Sequence, residues 1–438
     1  MKNILIITYY WPPSGGSGVQ RWLKFVKYLP QFGYKPFVYT VENGEYPVLD
    51  NSLEKDIPKE AVVIKKPIWE PYSFYKKFTG QKKNEKLGHG FVGVKNKSGF
   101  KRMMHNTALW VRGNFFIPDA RVFWVKPSVT FLKDYIKENN IDTVVTSGTP
   151  HSLHLIALAL KKECGIKWLA DFRDPWTGVY YLKDMKLSDS SMRKHLALEK
   201  EVLLQCDVIT TVGPNLGKNL AKLISEKEIS NKIKIIPNGY DFELDDSTKI
   251  ELDKKFTIVY IGLFSKEQNH PAFWKALKEC VDEDSKLKEI LELKFIGNID
   301  GSTEQAILHN GLLTHYNKIG FVSHKEAVAF QRSAQVLLLS INDYPGAKEM
   351  LTGKLFEYIS SSRPILCLGP KDGDAAAIIN DTNTGIINEW NDLAAIKSSI
   401  KNYFKLFQEG KLKVEAKNLE KYHRKSLTGE LAKILENM

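Results

Sequence analysis

The chain has 438 residues, 43% of them hydrophobic and 26% charged, with a net charge of +12. That length exceeds one ordinary core and predicts two domains of roughly 200 residues each. No apolar run approaches the ~18 residues of a membrane span, the four cysteines form no CxxC pair, and a cytoplasmic address with no disulfide framework is expected.

Residues 2–8, KNILIIT, read as a buried first strand. Gly15, Gly16 and Gly18 then make a turn, and Trp22, Phe25, Val26 and Leu29 recur at helical spacing. The glycine spacing is not GxGxxG, so a dinucleotide fingerprint is disfavoured. A second strand is predicted at 36–41. Residues 65–126 break the alternation: 14 Lys or Arg face only three acidic residues, a local excess of +11 interleaved with aromatics. Three readings of this segment stay open. One is docking on an anionic membrane. Another is a solvated insertion whose aromatics pack on the domain. The third, single-stranded nucleic acid, is disfavoured because no recognisable nucleic-acid module accompanies the segment.

Strand signals resume at 143–146, followed by a turn and an apolar helix. In KWLADFRDPWTG, a strand over 168–170 leaves Asp171, Arg173 and Asp174 at its carboxyl end, where open α/β sheets bind ligands. Further strands are predicted at 206–212 and within KIKIIPNGYD, where Asn238 and Gly239 signal a turn. Residues 242–254 read as a linker. A second run of alternating strands and helices begins at 256–261. Its elements include a strand at 335–341 and the stretch PGAKEMLTGKLFEYISSSRPILCLG, residues 345–369. There Thr352 is a candidate N-cap, and Leu355, Phe356, Tyr358 and Ile359 form a short helical apolar face. Glu349 and Glu357 lie eight residues apart, with Gly353 and Lys354 between them. A helix start with a lysine suits a phosphate, and a carboxylate further along suits sugar hydroxyls. Walker A fails here, because Leu355 follows Lys354 and Lys348 stands where its first glycine belongs.

The two glutamates, KLFEY and the following RPIL resemble the donor-site signature of retaining GT-B glycosyltransferases of the family 4 type. DFRDPW resembles the matching strand end in bacterial members that build surface polysaccharide. The resemblance implies an α/β chain of two Rossmann-like parallel-sheet domains facing a cleft. Residues 1–245 would form the acceptor side, residues 255–410 the donor side, and residues 411–438 a helical tail crossing back to the first domain. It implies transfer of a sugar, with retention, from a nucleotide-diphosphate donor to a glycan or lipid-linked acceptor. Neither cofactor nor metal is expected. Thr352, Gly353 and Lys354 would hold the diphosphate, and Glu357 the ribose. Glu349 would hold the donor sugar. Asp174, with Asp171 as the alternative register, would orient the sugar or acceptor. Gly16 and Ser17 of the glycine loop would also approach the donor, and Phe321, in the segment IGFV, its base. Arg173 and Asn238 would lie near the cleft as acceptor or structural residues. The chain departs from the family after the strand at 256–261, where Leu263 or Phe264 stands in the place of an expected Arg and only Lys266 offers a cation. Alternatives are a sugar-nucleotide epimerase of the same fold and a non-catalytic binding subunit. The expected location is cytoplasmic, with peripheral attachment to the inner face of the cytoplasmic membrane left open with the reading of residues 65–126, and no nucleic-acid partner is expected.

Overall fold

A computed structural model describes residues 1–71, 99–225, 229–241 and 250–438. Residues 72–98 of the basic segment and 242–249 of the expected linker therefore lie outside the description. The chain divides into two compact units. The first comprises Met1–Pro237 together with Arg424–Met438, and the second is Asn238–His423. Residues 411–423 stay with the second unit.

Among the described residues, the first unit holds a seven-stranded parallel sheet in the order β3-β2-β1-β4-β5-β6-β7. Its strands are β1 (Lys2–Ile7), β2 (Tyr34–Val41), β3 (Val62–Lys66), β4 (Thr143–Gly148), β5 (Lys167–Phe172), β6 (Val208–Thr211) and β7 (Ile233–Ile235). Ile4, Leu5, Ile6 and Ile7 are all fully buried, as a central parallel strand covered on both faces requires. The helix Ser17–Tyr28 turns Trp22, Phe25 and Val26 inward. Leu427, Leu431 and Leu435 of the helix Arg424–Glu436 join the same core.

The basic segment is tied into this sheet at both ends. Lys65 and Lys66 complete β3, and residues 122–126 open the helix Val122–Glu138, whose Trp124 stacks on Tyr39 with ring centroids 5.0 Å apart. What the sequence marked as an insertion therefore includes part of the β3-to-β4 crossover.

The second unit has a six-stranded parallel sheet in the order β10-β9-β8-β11-β12-β13. The strands are β8 (Phe256–Ile261), β9 (Leu291–Ile296), β10 (Tyr316–Ile319), β11 (Val336–Ser340), β12 (Ile365–Leu368) and β13 (Gly385–Asn388). In both sheets the strand order reverses beside the first strand of the unit, between β1 and β4 and between β8 and β11. Such switch points open crevices at the carboxyl ends of the strands. The glycine loop follows β1, and Gly262 follows β8.

Candidate donor and acceptor sites

In the second unit, β8 is followed by Gly262 with φ +107°. An added Cβ there would lie 2.9 Å from Lys354 Cε, so the glycine leaves the space that the lysine stem fills. Gly297, after β9, holds φ +110° and packs so closely that a Cβ would meet the Gly262 carbonyl oxygen at 2.7 Å. The two glycines bring backbone and lysine together over the sheet end.

Lys354 reaches this point from the helix Gly353–Ile359, whose Leu355, Phe356, Tyr358 and Ile359 are fully buried. Tyr358 Oη accepts the Ile261 N–H at 3.2 Å and pins the helix to β8. Lys354 Nζ lies 4.0 Å from the Tyr260 ring centroid and donates to Tyr260 Oη and, at 3.3 Å, to the Leu263 carbonyl. Among the described residues, no carboxylate forms an ion pair with it. Burial pushes its ammonium down to about 7, against a partial opposing pull from Glu357. Tyr260 in turn donates to the Leu263 carbonyl at 2.6 Å, and burial raises its hydroxyl so that it stays protonated.

Glu357, on the next turn, is half-buried, and its Oε2 accepts from Gln331 Nε2 at 2.8 Å. Glu349 sits in the single turn Ala347–Glu349 and is buried, folded over Gly346. Thr352 takes the N-cap position with extended backbone, but its hydroxyl does not cap the helix and has no hydrogen-bond partner. The expected capping bond is therefore not made; the Leu355 N–H donates to the Thr352 carbonyl at 3.2 Å instead. Lys266 is exposed at the start of the turn Lys266–Gln268. Leu263 is exposed and Phe264 points into the core. Phe321, after β10, is 95% exposed.

In the first unit the two aspartates at the carboxyl end of β5, Asp171 within it and Asp174 just past it, separate sharply. Asp171 is fully buried. Its Oδ1 accepts from Arg21 Nη2 and Thr210 Oγ1, each at 2.8 Å. Its Oδ2 accepts from Trp22 Nε1 at 2.7 Å and from Arg21 Nε and Ser147 Oγ, each at 3.0 Å. Burial pushes this carboxyl up, but Arg21 and the hydrogen bonds outweigh it, and the net shift is downward. Both oxygens are thus held by protein donors, and of the two registers expected for the reacting carboxylate this is the buried one.

Asp174 has a side chain 56% exposed, near Thr149 Oγ1 at 3.4 Å and Arg173 Nε at 3.7 Å. Arg173 donates to the carbonyls of Gly18 and, at 2.8 Å, of Thr149, and lies over the Tyr10 ring. It fastens the glycine loop to the loop after β4. Gly16 holds φ +85° as N-cap of the helix that Ser17 begins, and a Cβ there would meet nothing within 4 Å. Asn238 opens the second unit and is half-buried.

No protein-family model matches the chain, and no curated protein matches it. Solved structures do. A glycosyltransferase from Rickettsia africae matches at 14% identity and TM-score 0.60, covering all of this chain and 98% of that one. Sucrose-phosphate synthase from Thermosynechococcus elongatus matches at 12% and 0.60, over all of this chain and 99% of that one. HepE of Anabaena, solved with UDP-glucose, matches at 12% and 0.59, with both chains covered in full.

The fold is GT-B.

Within this GT-B chain, several side chains at the two switch points carried no separate signal in the sequence. Tyr260 was one apolar-strand residue among six, and Gln331 one polar residue of a helix. Arg21 stood in a basic helical face with nothing to mark its pairing to Asp171. His151 and His154 follow β4, and both press on Gly148. His151 stacks on Trp176 with ring centroids 5.0 Å apart and planes 9° apart. Burial pushes it down to about 4 against Asp119, so the ring is neutral near pH 7. The run SGTPHSLH could have raised these histidines as candidates through its position at a strand end.

Proposed function

We propose that the chain is a glycosyltransferase that moves a sugar from a nucleotide-diphosphate donor to a glycan or lipid-linked acceptor in cell-surface polysaccharide synthesis, with retention of anomeric configuration. The observation that carries this reading is Lys354. Its ammonium is held by neutral partners, Tyr260 and a carbonyl, at the carboxyl end of β8, with no carboxylate ion pair among the described residues. A cation held without an anionic partner stabilises charge that arrives with a ligand, and the departing diphosphate of a nucleotide sugar supplies it. The unused hydroxyl of Thr352 and the exposed backbone at Gly353 adjoin it in sequence and offer two more donors.

Glu357, already held in place by Gln331, would accept from the ribose hydroxyls, and Phe321 would stack on the base. Glu349 would accept from hydroxyls of the donor sugar. Asp174, the accessible carboxylate at the end of β5, would orient the sugar or the acceptor. The backbone at Gly16 and Ser17 would approach the donor, and Lys266 would add long-range positive charge. In a front-face mechanism the leaving phosphate oxygen accepts the acceptor's proton, so the residues position, and Lys354 neutralises. HepE, of the same fold, was solved with UDP-glucose, which supports a nucleotide sugar as the donor class.

A thermal-shift screen against nucleotides and nucleotide sugars tests the proposal, because a ligand that binds only the native state raises Tm. One nucleoside-diphosphate class should shift the wild type. Lys354→Ala and Glu357→Ala should each weaken that ligand about tenfold or more. No response to any nucleotide would overturn the reading, and a donor epimerised without acceptor would replace transfer by epimerisation.

A further inference from the structure

The helix Gly99–Phe115 is apolar on the wrong side as well as the right one. Leu109 is buried, and Gly113 packs so tightly that a Cβ would lie 2.6 Å from Leu187 and 3.0 Å from Met185, so this face meets the unit. The opposite face presents Met103, Trp110 and Val111, which are 59%, 43% and 37% exposed. These positions follow helical spacing, so the exposed residues form a stripe and not a scatter. Phe115, at the helix end, is 67% exposed, and its ring lies 5.7 Å from that of Trp110. Phe116 follows, 5.8 Å from Phe123. Phe123 is half exposed and meets Trp69, itself 60% exposed, at 5.0 Å. Two aromatic groups, Trp110 with Phe115 and Phe116 with Phe123 and Trp69, thus lie on the outside of the first unit, adjacent along the chain at residues 115 and 116. Single exposed apolar residues are ordinary, but clustered aromatic ones are not.

The sequence that carries this set is basic. Between Glu85 and Asp119 the chain carries no carboxylate and six Lys or Arg, within the segment whose excess is +11. What covers the patch must therefore accept aromatic side chains and be negatively charged. A second copy of the chain would bring two such segments face to face and add repulsion. An anionic bilayer offers both properties: headgroup charge for the lysines and an interfacial layer for Trp and Phe.

We infer that the outer face formed by Trp69, Met103, Trp110, Val111, Phe115 and Phe123 docks on an anionic phospholipid membrane. The unit lies against the bilayer through this face, with aromatic side chains at the headgroup boundary and basic residues beside the lipid phosphates. No helix of the described residues is long and apolar enough to cross a membrane, and the contact is one of surface attachment. It involves none of the groups assigned to glycosyl transfer, so its failure and the failure of that assignment are read separately.

The experiment is flotation of the full chain with phosphatidylcholine vesicles, with and without about 30% phosphatidylglycerol. The wild type should float with the anionic vesicles and bind pure phosphatidylcholine about tenfold more weakly, and ~0.5 M salt should release most of it. The combined variant Trp69→Ser, Trp110→Ser, Phe115→Ser and Phe123→Ser should lose about tenfold or more in partitioning, with Tm unchanged because the side chains leave exposed positions. Trp110→Ser and Phe115→Ser alone should each show part of the loss, which covers the case of a combined variant that fails to fold. In the wild type, bromine-labelled lipid chains should quench tryptophan fluorescence, and Trp110→Phe should reduce that quenching. Absent wild-type flotation, or equal flotation of the variants, would overturn the inference. So would tighter binding to single-stranded oligonucleotides than to vesicles, or self-association in solution that the same substitutions abolish.

Discussion

At the scale of single residues, the aspartate inside the end of β5 and the one just past it make the clearest contrast. They are three positions apart, yet Asp171 is sealed under Arg21, Trp22, Ser147 and Thr210, while Asp174 faces solvent. Asp171→Asn leaves a buried guanidinium without its countercharge and should cost roughly 3–5 kcal/mol, read from the urea midpoint. Asp174→Asn should leave that midpoint within about 0.5 kcal/mol and lower transferase turnover instead. Reversed outcomes would exchange the two roles. Lys354 gives a second residue-scale expectation, with a definite sign. In the free protein burial holds its ammonium down to about 7, and a bound diphosphate favours the protonated form. Below pH 7 the lysine is already charged and donor affinity should be flat. Above it, binding must take up a proton, and Kd should rise toward tenfold per pH unit. Calorimetry at pH 8 in buffers of different ionisation enthalpy would detect that proton, and Lys354→Arg should flatten the profile.

At the scale of elements, the strands were legible because parallel strands buried on both faces are continuous apolar runs. β8, FTIVYI, is such a run, and so is β11. The short helix after Thr352 was legible from its four buried positions. The side-chain pairs that build the sites were not. Lys354 and Tyr260 are 94 residues apart, and Arg21 and Asp171 are 150. A single sequence records composition at each position, and nothing in it marks which distant position a charge will meet. The aromatic stripe of the helix Gly99–Phe115 was legible only as composition, because its meaning depends on which face the unit covers. Gly262 shows how an element end can carry function through an absent atom. Gly262→Ala would force a side chain into a left-handed backbone, at a cost of about 1–2 kcal/mol, and push Lys354 off its seat. Donor affinity should fall about tenfold, more than the loss of stability alone would produce. Titration of the variant well below its Tm checks this, and unchanged affinity would mean that Lys354 does not need its place over Gly262.

At the scale of the whole molecule, each unit has its own core, and the first is completed from both ends of the described chain. The helix Arg424–Glu436 lays Leu427, Leu431 and Leu435 against the core around Trp22, and Arg424 Nη1 donates to the Gln20 carbonyl at 3.2 Å. Removing residues 424–438 uncovers three leucine sites, each worth about 2–3 kcal/mol. The truncated chain should therefore show the first unit unfolded or at a much lower urea midpoint, with the second unit's transition retained. A truncated chain that melts like the full one would show that the helix is an ornament to that core.

That last helix also sets a clock. The second unit is one uninterrupted stretch, Asn238–His423, and can close as soon as it leaves the ribosome. The first unit cannot. Roughly 190 residues separate Pro237 from Arg424, and at ~5–20 residues per second the first unit waits about 10–40 s for its closing helix. During that wait its apolar groove stands open in the nascent polypeptide and is a natural station for a chaperone.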